Sequence, residues 1–369
     1  MKKVGIVTWF NGGNYGTNAQ ALALYEYLSK NNRCFLISYC DYKRLESSTF
    51  RLKSLARMFL KPVFYMQKMK GAFTKGVKIK LLFSKCNIFR IKNKNLLAET
   101  DTFDVLVTGS DQIWNPYYLD DFYLLAFSKN KNKIAYSSSI GVSEIPEKCK
   151  NLYITALSEF KSIAVREKSA EVLLKDILKR NDIVTVLDPV FLISQNEWRL
   201  FYKRTSPSKE TEKYILCYFI GNREEYKLYS TKIANTYGLT TFYIPSVENM
   251  GIDLPGKKIT DAGLEDFLSL IDNAELILTD SFHATALSLI FEKQFFEFVR
   301  FKKDDAKSQN SRIYDLLARY GLSDRIYEGD DSVLLSKIDY DDVNKNLQRD
   351  IEFSKQYLDM AISKVSVNA

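Results

Sequence analysis

The first forty residues constrain the fold more than any other stretch. Residues 4–9 form an apolar run, residues 11–16 a loop of asparagine and glycine, and residues 17–29 carry apolar side chains at helical spacing, with Thr17 or Asn18 as the expected N-cap. Residues 34–39 are apolar again. Strand, glycine-rich loop, helix and second strand in this order open a parallel, doubly wound sheet, because parallel strands need a crossover helix between them. Further strands are expected at residues 104–108, 133–137, 162–165 and 184–187, with a helix over 167–178. The polar stretch 200–213, containing Ser206-Pro207-Ser208, reads as a linker. A second α/β series follows, with strands at 214–220, 240–244, 275–279 and 295–299 and helices at 224–237, 264–271, 283–291 and 311–320. The tail, 341–363, has a helical pattern.

This pattern predicts two Rossmann-like domains facing a cleft: residues 1–200, residues 201–340, and a C-terminal helix in 341–369. The second expected cleft junction holds the only histidine of the chain. His283 lies in Thr279-Asp280-Ser281-Phe282-His283-Ala284, between an apolar strand and an apolar helix. Open α/β sheets bind ligands at such strand ends, and histidine is the side chain whose ordinary titration falls near neutrality. His283 is therefore a candidate for chemistry, or else a hydrogen-bonded structural histidine at a helix start.

Charge is unevenly spread. Residues 43–94 hold fifteen Lys/Arg and one acid, Glu46, and so carry +14, while the chain as a whole is +8 and the remainder therefore −6. A basic insertion, residues 44–98, thus interrupts the first domain. Its mixture of lysines with Leu, Met, Phe and Tyr fits an amphipathic helix at a membrane surface. A solvated helical hairpin beside the cleft and a nucleic-acid surface are the competing readings, and nucleic acid is not the expected partner. The five cysteines lack any CxxC, so neither a zinc site nor a disulfide framework is expected. Residues 1–10 are too short an apolar run for a signal-peptide core, and no transmembrane run occurs, so the expected location is cytoplasmic.

Three loops could carry chemistry besides the His283 junction. The first, Asn11-Gly12-Gly13-Asn14-Tyr15-Gly16, would let an anion approach backbone N–H groups at a helix start. The second, Thr108-Gly109-Ser110-Asp111-Gln112-Ile113-Trp114-Asn115-Pro116, follows an apolar strand. Asp111 there is a candidate base for a sugar hydroxyl or a capping carboxylate, and Trp114 a sugar platform or a core side chain. In the third, Val165-Arg166-Glu167, the arginine could fork onto a carboxylate or phosphate, or pair with a nearby acid.

Together these segments resemble one family, the polysaccharide pyruvyl transferases. The carriers are Asn14-Tyr15-Gly16 with Gln20, GSDQIWNP at 109–116, VRE at 165–167, LDPVF at 187–191, TDSFHATALSLIF at 279–291 and Asn310-Ser311-Arg312-Ile313. The resemblance implies two Rossmann-like domains in a glycosyltransferase-B-like arrangement, the first taking the acceptor and the second the donor. It also implies transfer of a pyruvyl group from phosphoenolpyruvate to two sugar hydroxyls as a cyclic ketal. Members keep an Arg-apolar-His triplet. His283 matches its histidine, whereas Ser281 stands where the arginine is expected, leaving Arg312 as the candidate substitute cation.

On this reading His283 and Asp111 are the catalytic acid and base. Arg166, Arg312, Ser281 and Asn310 face the donor, and Asn14, Tyr15, Gln20, Trp114 and Asn115 face the acceptor. No cofactor or metal is expected, phosphoenolpyruvate being a substrate. The implied acceptor is an undecaprenyl-linked oligosaccharide of a surface polysaccharide or capsule. It would be met at the inner face of the membrane, with residues 44–98 on the bilayer. Two alternatives are a nucleotide-sugar-dependent glycosyltransferase of the same fold and a non-catalytic scaffold of capsule assembly.

Overall fold

The computed structural model describes residues 1–39, 62–91, 99–203, 212–246, 254–301 and 308–365. Two separate parallel sheets account for all its strands. The first contains β1 (Lys3–Val7), β2 (Arg33–Tyr39), β3 (Ile88–Ile91), β4 (Val105–Thr108), β5 (Lys133–Ser138), β6 (Ser162–Val165) and β7 (Val184–Thr185), in spatial order 3-2-1-4-5-6-7. The second contains β8 (Tyr214–Tyr218), β9 (Thr240–Tyr243), β10 (Lys257–Lys258), β11 (Leu276–Thr279) and β12 (Gln294–Glu297), in the order 10-9-8-11-12. Strands β4, β8 and β11 are buried along their whole length, as a parallel sheet covered on both faces requires.

Each sheet winds outward in both directions from its first strand, so strand order reverses between β1 and β4 and again between β8 and β11. Register aligns Val7 with Thr108 and Tyr218 with Thr279. Both reversal points therefore leave a crevice beyond the carboxyl ends of their strands, the place where doubly wound sheets bind ligands. The helices α1 (Tyr15–Ser29) and α8 (Phe282–Ile290) start at these two crevices. The remaining helices are α2 (Pro62–Phe83), α3 (Glu147–Leu157), α4 (Lys168–Leu178), α5 (Gln195–Lys203), α6 (Glu225–Tyr237), α7 (Leu264–Asn273), α9 (Ser311–Arg319) and α10 (Tyr340–Ser363).

Several local features differ from the sequence-based expectation. Asn14, not Thr17 or Asn18, caps α1: its side chain accepts from the Thr17 N–H. The strand expected over 184–187 stops at Thr185. Asp188 then caps a 3-10 turn, Pro189–Leu192, whose first residue has no N–H to offer a sheet. Of the basic insertion, residues 44–61 and 92–98 lie outside the described residues.

Among the elements that tie the halves together are two long helices. Helix α10 follows the second sheet in the chain but packs back on the first: Ser354 Oγ accepts from Leu187 N at 3.0 Å, and Tyr27 donates to Asp359 at 2.9 Å. The second tie is α2, the helix of the basic insertion. Ile79, Leu82 and Phe83 are buried in the core. Lys78 pairs with Asp266 at 2.6 Å on α7, and Lys75 lies 3.7 Å from the centre of the Tyr15 ring. Burial holds the Lys75 ammonium below its ordinary value, at about 8. Among the described residues no helix is long and apolar enough to cross a membrane.

Candidate functional site

The chain leaves β4 by a turn that only glycine fits. Gly109 has φ +130°, and a Cβ there would lie 1.9 Å from Tyr136 O. Asp111 follows with φ +60°, a conformation that Asp tolerates better than most residues. Its carboxylate accepts from Thr17 Oγ1 at 2.7 Å and from Gln112 N at 2.9 Å. Gln20 locks this loop to the one after β1: its Oε1 accepts from Ser110 N at 3.2 Å, while its Nε2 donates to Trp9 O at 3.0 Å and Thr17 O at 2.9 Å.

On the opposite wall Ser281 caps α8, and its side chain accepts from Ala284 N. His283 is therefore the second residue of a helix whose free N–H groups face the crevice. Its Nε2 stands 3.5 Å from Asp188 Oδ2, beyond a normal hydrogen bond. Asp188 is the hub of the site. The same Oδ2 accepts from Arg166 Nη1 at 2.8 Å and Ser110 Oγ at 2.9 Å, and Oδ1 accepts from Val190 N at 3.1 Å. Burial alone would raise its pKa. His283, Arg166 and the Val190 N–H outweigh burial and hold it well below the ordinary carboxylate value. Asp111 behaves alike: burial raises it, but His283, Arg166, Thr17 and Arg312 bring it below its ordinary value.

The cleft between the two walls encloses about 640 Å³ and is lined by residues of both, including Asn14, Thr17, Asp111, Gln112, Ser281, His283, Arg300, Gln309 and Arg312. Its cations are distinctive. Arg300 Nη2 and Arg312 Nη2 both donate to Gln309 Oε1, each at 3.2 Å. The Gln112 carboxamide, with its oxygen toward the guanidinium, accepts from Arg312 Nη2 at 2.9 Å. Neither arginine is in an ion pair among the described residues. Burial, then Arg166 and Arg300, hold Arg312 down at about 9. Two guanidinium groups sharing a neutral oxygen next to a helix N-terminus make a place for an anion.

Asn14, Asp111, Ser281, His283 and Arg312 thus line the cleft as expected from the sequence, and the other six expected residues do not. Arg166 is buried between Asp188 and Glu167 (Nε to Oε1, 3.3 Å) and under Phe282, 4.2 Å from the ring centre. Its charge is already matched by carboxylates, so it backs the site rather than clamping a donor. Trp114 is fully buried and its indole donates to Tyr123 O at 3.0 Å, so it is a core side chain and no sugar platform. Asn115 is fully buried too, its carboxamide oxygen accepting from Tyr117 N. Tyr15 stacks on Phe267 at 4.5 Å and donates to Ala262 O at 2.9 Å, spending both its faces on the joint between the halves. Gln20 is fully buried and every polar atom is used on backbone or Thr8. Asn310 braces the segment after β12, its carboxamide exchanging bonds with Phe301 N and O.

Sequence reasoning missed Asp188, Thr17, Arg300 and Gln309. Asp188 lay within the LDPVF segment and Thr17 beside the first loop, so both had a local signal. Arg300 and Gln309 had none. Asp280, also missed, pins the exit of β8 by accepting from Ile220 N at 2.6 Å, Gly221 N at 2.7 Å and Tyr226 OH at 2.8 Å.

Comparison with known proteins bears on the family and the fold. The model of a family described as polysaccharide pyruvyl transferase matches residues 14–299. No curated protein matches the sequence closely enough to count as a relative. Among solved structures, the UDP-N-acetylglucosamine 2-epimerase from Rickettsia bellii is similar with a TM-score of 0.51 and 12% identity, over 99% of this chain and 97% of that one. The UDP-GlcNAc 2-epimerase from Neisseria meningitidis has a TM-score of 0.47 and 12% identity, over 100% and 95%. At such identity the first likeness speaks for the fold alone: two Rossmann-like domains in a glycosyltransferase-B-like arrangement.

Proposed function

The chain belongs to the polysaccharide pyruvyl transferase family and is a transferase acting on a polysaccharide acceptor; from that premise we propose that its cleft takes phosphoenolpyruvate as donor and forms a pyruvate ketal on one sugar of the acceptor. The observation that carries this reading is the Arg300–Gln309–Arg312 cluster. Two cations that share one neutral carboxamide oxygen, and that form no ion pair among the described residues, suit a small ligand bearing both phosphate and carboxylate. They supply the charge that Ser281, in the place of the family arginine, does not.

The reaction needs three proton movements: each of two sugar hydroxyls loses a proton and C3 of the enol gains one. The first hydroxyl gives up its proton as it adds to C2, and C3 is protonated. Phosphate then leaves, and the second hydroxyl closes on C2, its proton leaving with the phosphate. The released products are the cyclic ketal and inorganic phosphate. His283, on the donor wall, is the acid. Asp188 stays ionised beside it, with Oδ2 3.5 Å from the imidazole Nε2. Asp111, on the other wall, is the base for the acceptor. The surrounding cations make it a weak base. A bound donor would neutralise those cations and raise its proton affinity, so the base strengthens when the donor is in place. Asn14 and Thr17 stand on the acceptor side.

We further read the acceptor as a lipid-linked oligosaccharide of a surface polysaccharide, met at the cytoplasmic face of the membrane, with the basic insertion as the contact. The direct test of the chemistry is turnover of phosphoenolpyruvate with a lipid-linked oligosaccharide acceptor. Inorganic phosphate should appear in equal amount to acid-labile pyruvate bound to the glycan. Phosphate release with free pyruvate and no glycan adduct would refute ketal formation.

A further inference from the structure

The inner face of α2 is committed to the fold. Ile79, Leu82 and Phe83 are buried, Lys78 pairs with Asp266 and also donates to Asp261 O at 3.0 Å, and Gly71 lies against Thr260. The outer face is unusual for a helix so firmly held. Phe73 is 73% exposed, Val77 38% and Leu81 60%. These three residues are four apart and so form one stripe along the helix. The stripe is flanked by the exposed Lys80, with Lys85 exposed just past the helix end. Large side chains held in water this way are costly unless something covers them.

We propose that this stripe is the face on which the protein docks to an anionic bilayer surface, with Phe73, Val77 and Leu81 entering the headgroup boundary and the lysines meeting lipid phosphates. Charge complementarity selects the occupant: the segment carrying the stripe holds +14 in a chain otherwise at −6. A second copy of this basic segment would be repelled by the first. The geometry also gives docking a consequence for the site. Lys75 of α2 covers the Tyr15 ring, and Tyr15 adjoins Gly16, on which the His283 imidazole rests. A helix lying on the bilayer would therefore hold the start of α1, and with it the cleft, beside a lipid-linked acceptor. This deepens the lipid-linked part of the proposed function, but the experiment reads binding without turnover and so can fail separately from the chemistry.

The test is co-sedimentation of the full chain with vesicles of mixed phosphatidylglycerol and phosphatidylcholine and with vesicles of phosphatidylcholine alone. The wild-type protein should sediment with the anionic vesicles, less so at high salt, and hardly with the neutral ones. Phe73→Ser with Leu81→Ser should lower partitioning at least ~10-fold, with an unchanged melting temperature because both side chains are exposed. Lys80→Gln with Lys85→Gln should lower it too and flatten the salt dependence. No binding of wild-type protein to anionic vesicles, or equal binding by the serine double variant, would overturn the proposal. So would a wild-type dimer that the serine substitutions dissociate.

Discussion

The imidazole of His283 rests on the α-carbon of Gly16. A methyl group at Gly16 would come within 2.2 Å of Nδ1 and 2.3 Å of Cγ. Gly16 is the second residue of α1 at the first crevice and His283 the second residue of α8 at the other, so the two walls touch where the chemistry is proposed. The missing side chain at residue 16 is what lets the ring reach Asp188.

Gly16→Ala should therefore displace the ring rather than unfold the chain. Turnover should fall on the order of 10²-fold, with a stability cost of about 1–3 kcal/mol for the overpacked joint. Gly12→Ala is the control, because nothing lies within 4 Å of a Cβ there. Steady-state rates and thermal melting of both variants check the pair.

His283→Ala and Asp111→Ala should each lower turnover by ~10²-fold or more while the protein stays folded. Near-wild-type activity in either removes that residue from the mechanism. Arg166→Gln should differ in kind. It breaks a buried pair with Asp188 and so should appear chiefly as lost stability, about 3 kcal/mol or more by denaturant titration.

Asp188 should also dominate the acid limb of stability. Its folded-state pKa is depressed, so the stabilisation is fully present above its unfolded value of about 3.9 and is lost as pH falls through the lower, folded value. Denaturant titrations of wild type and Asp188→Asn should therefore differ most at neutral pH and converge in strong acid. A gap that stays constant with pH would contradict the ion-pair account of this residue.

Glu297 titrates in the opposite sense. Burial pushes it well above its ordinary value. Thr285 Oγ1 donates to its Oε2, and Oε1 has no hydrogen-bond partner among the described residues. A raised folded value means that stability falls as pH rises through it. Glu297→Gln should therefore be more stable than wild type at alkaline pH, by about 1 kcal/mol, and lose this advantage as pH falls. Melting temperatures across that range decide it.

Much of the scaffold could be read in advance because its signals are local. Apolar runs separated by Gly/Asn loops and helical spacing marked both sheets, and the strand exit at Asp111 and the strand-to-helix junction at His283 fell where the crevices are. What escaped is non-local. Gln309 matters because it bridges Arg300 and Arg312 from α9 and the β12 exit, and no spacing announces that. Trp114, Asn115 and Tyr15 were misassigned for a different reason. An aromatic or amide beside a glycine-rich loop has the same sequence appearance whether it faces a sugar or fills the joint behind the loop, and only burial separates the two. Arg166 likewise needed Asp188, twenty-two residues away, to show that its charge was already spent.

The central claim, that the Arg300–Arg312 cluster holds phosphoenolpyruvate, is tested most directly by ligand-induced thermal stabilisation. Phosphoenolpyruvate should raise the melting temperature of wild-type protein where UDP-sugars do not. Arg312→Gln should weaken that binding by about 10- to 100-fold, the worth of a charged hydrogen bond. Stabilisation by a UDP-sugar in place of phosphoenolpyruvate, or by neither, would contradict the account.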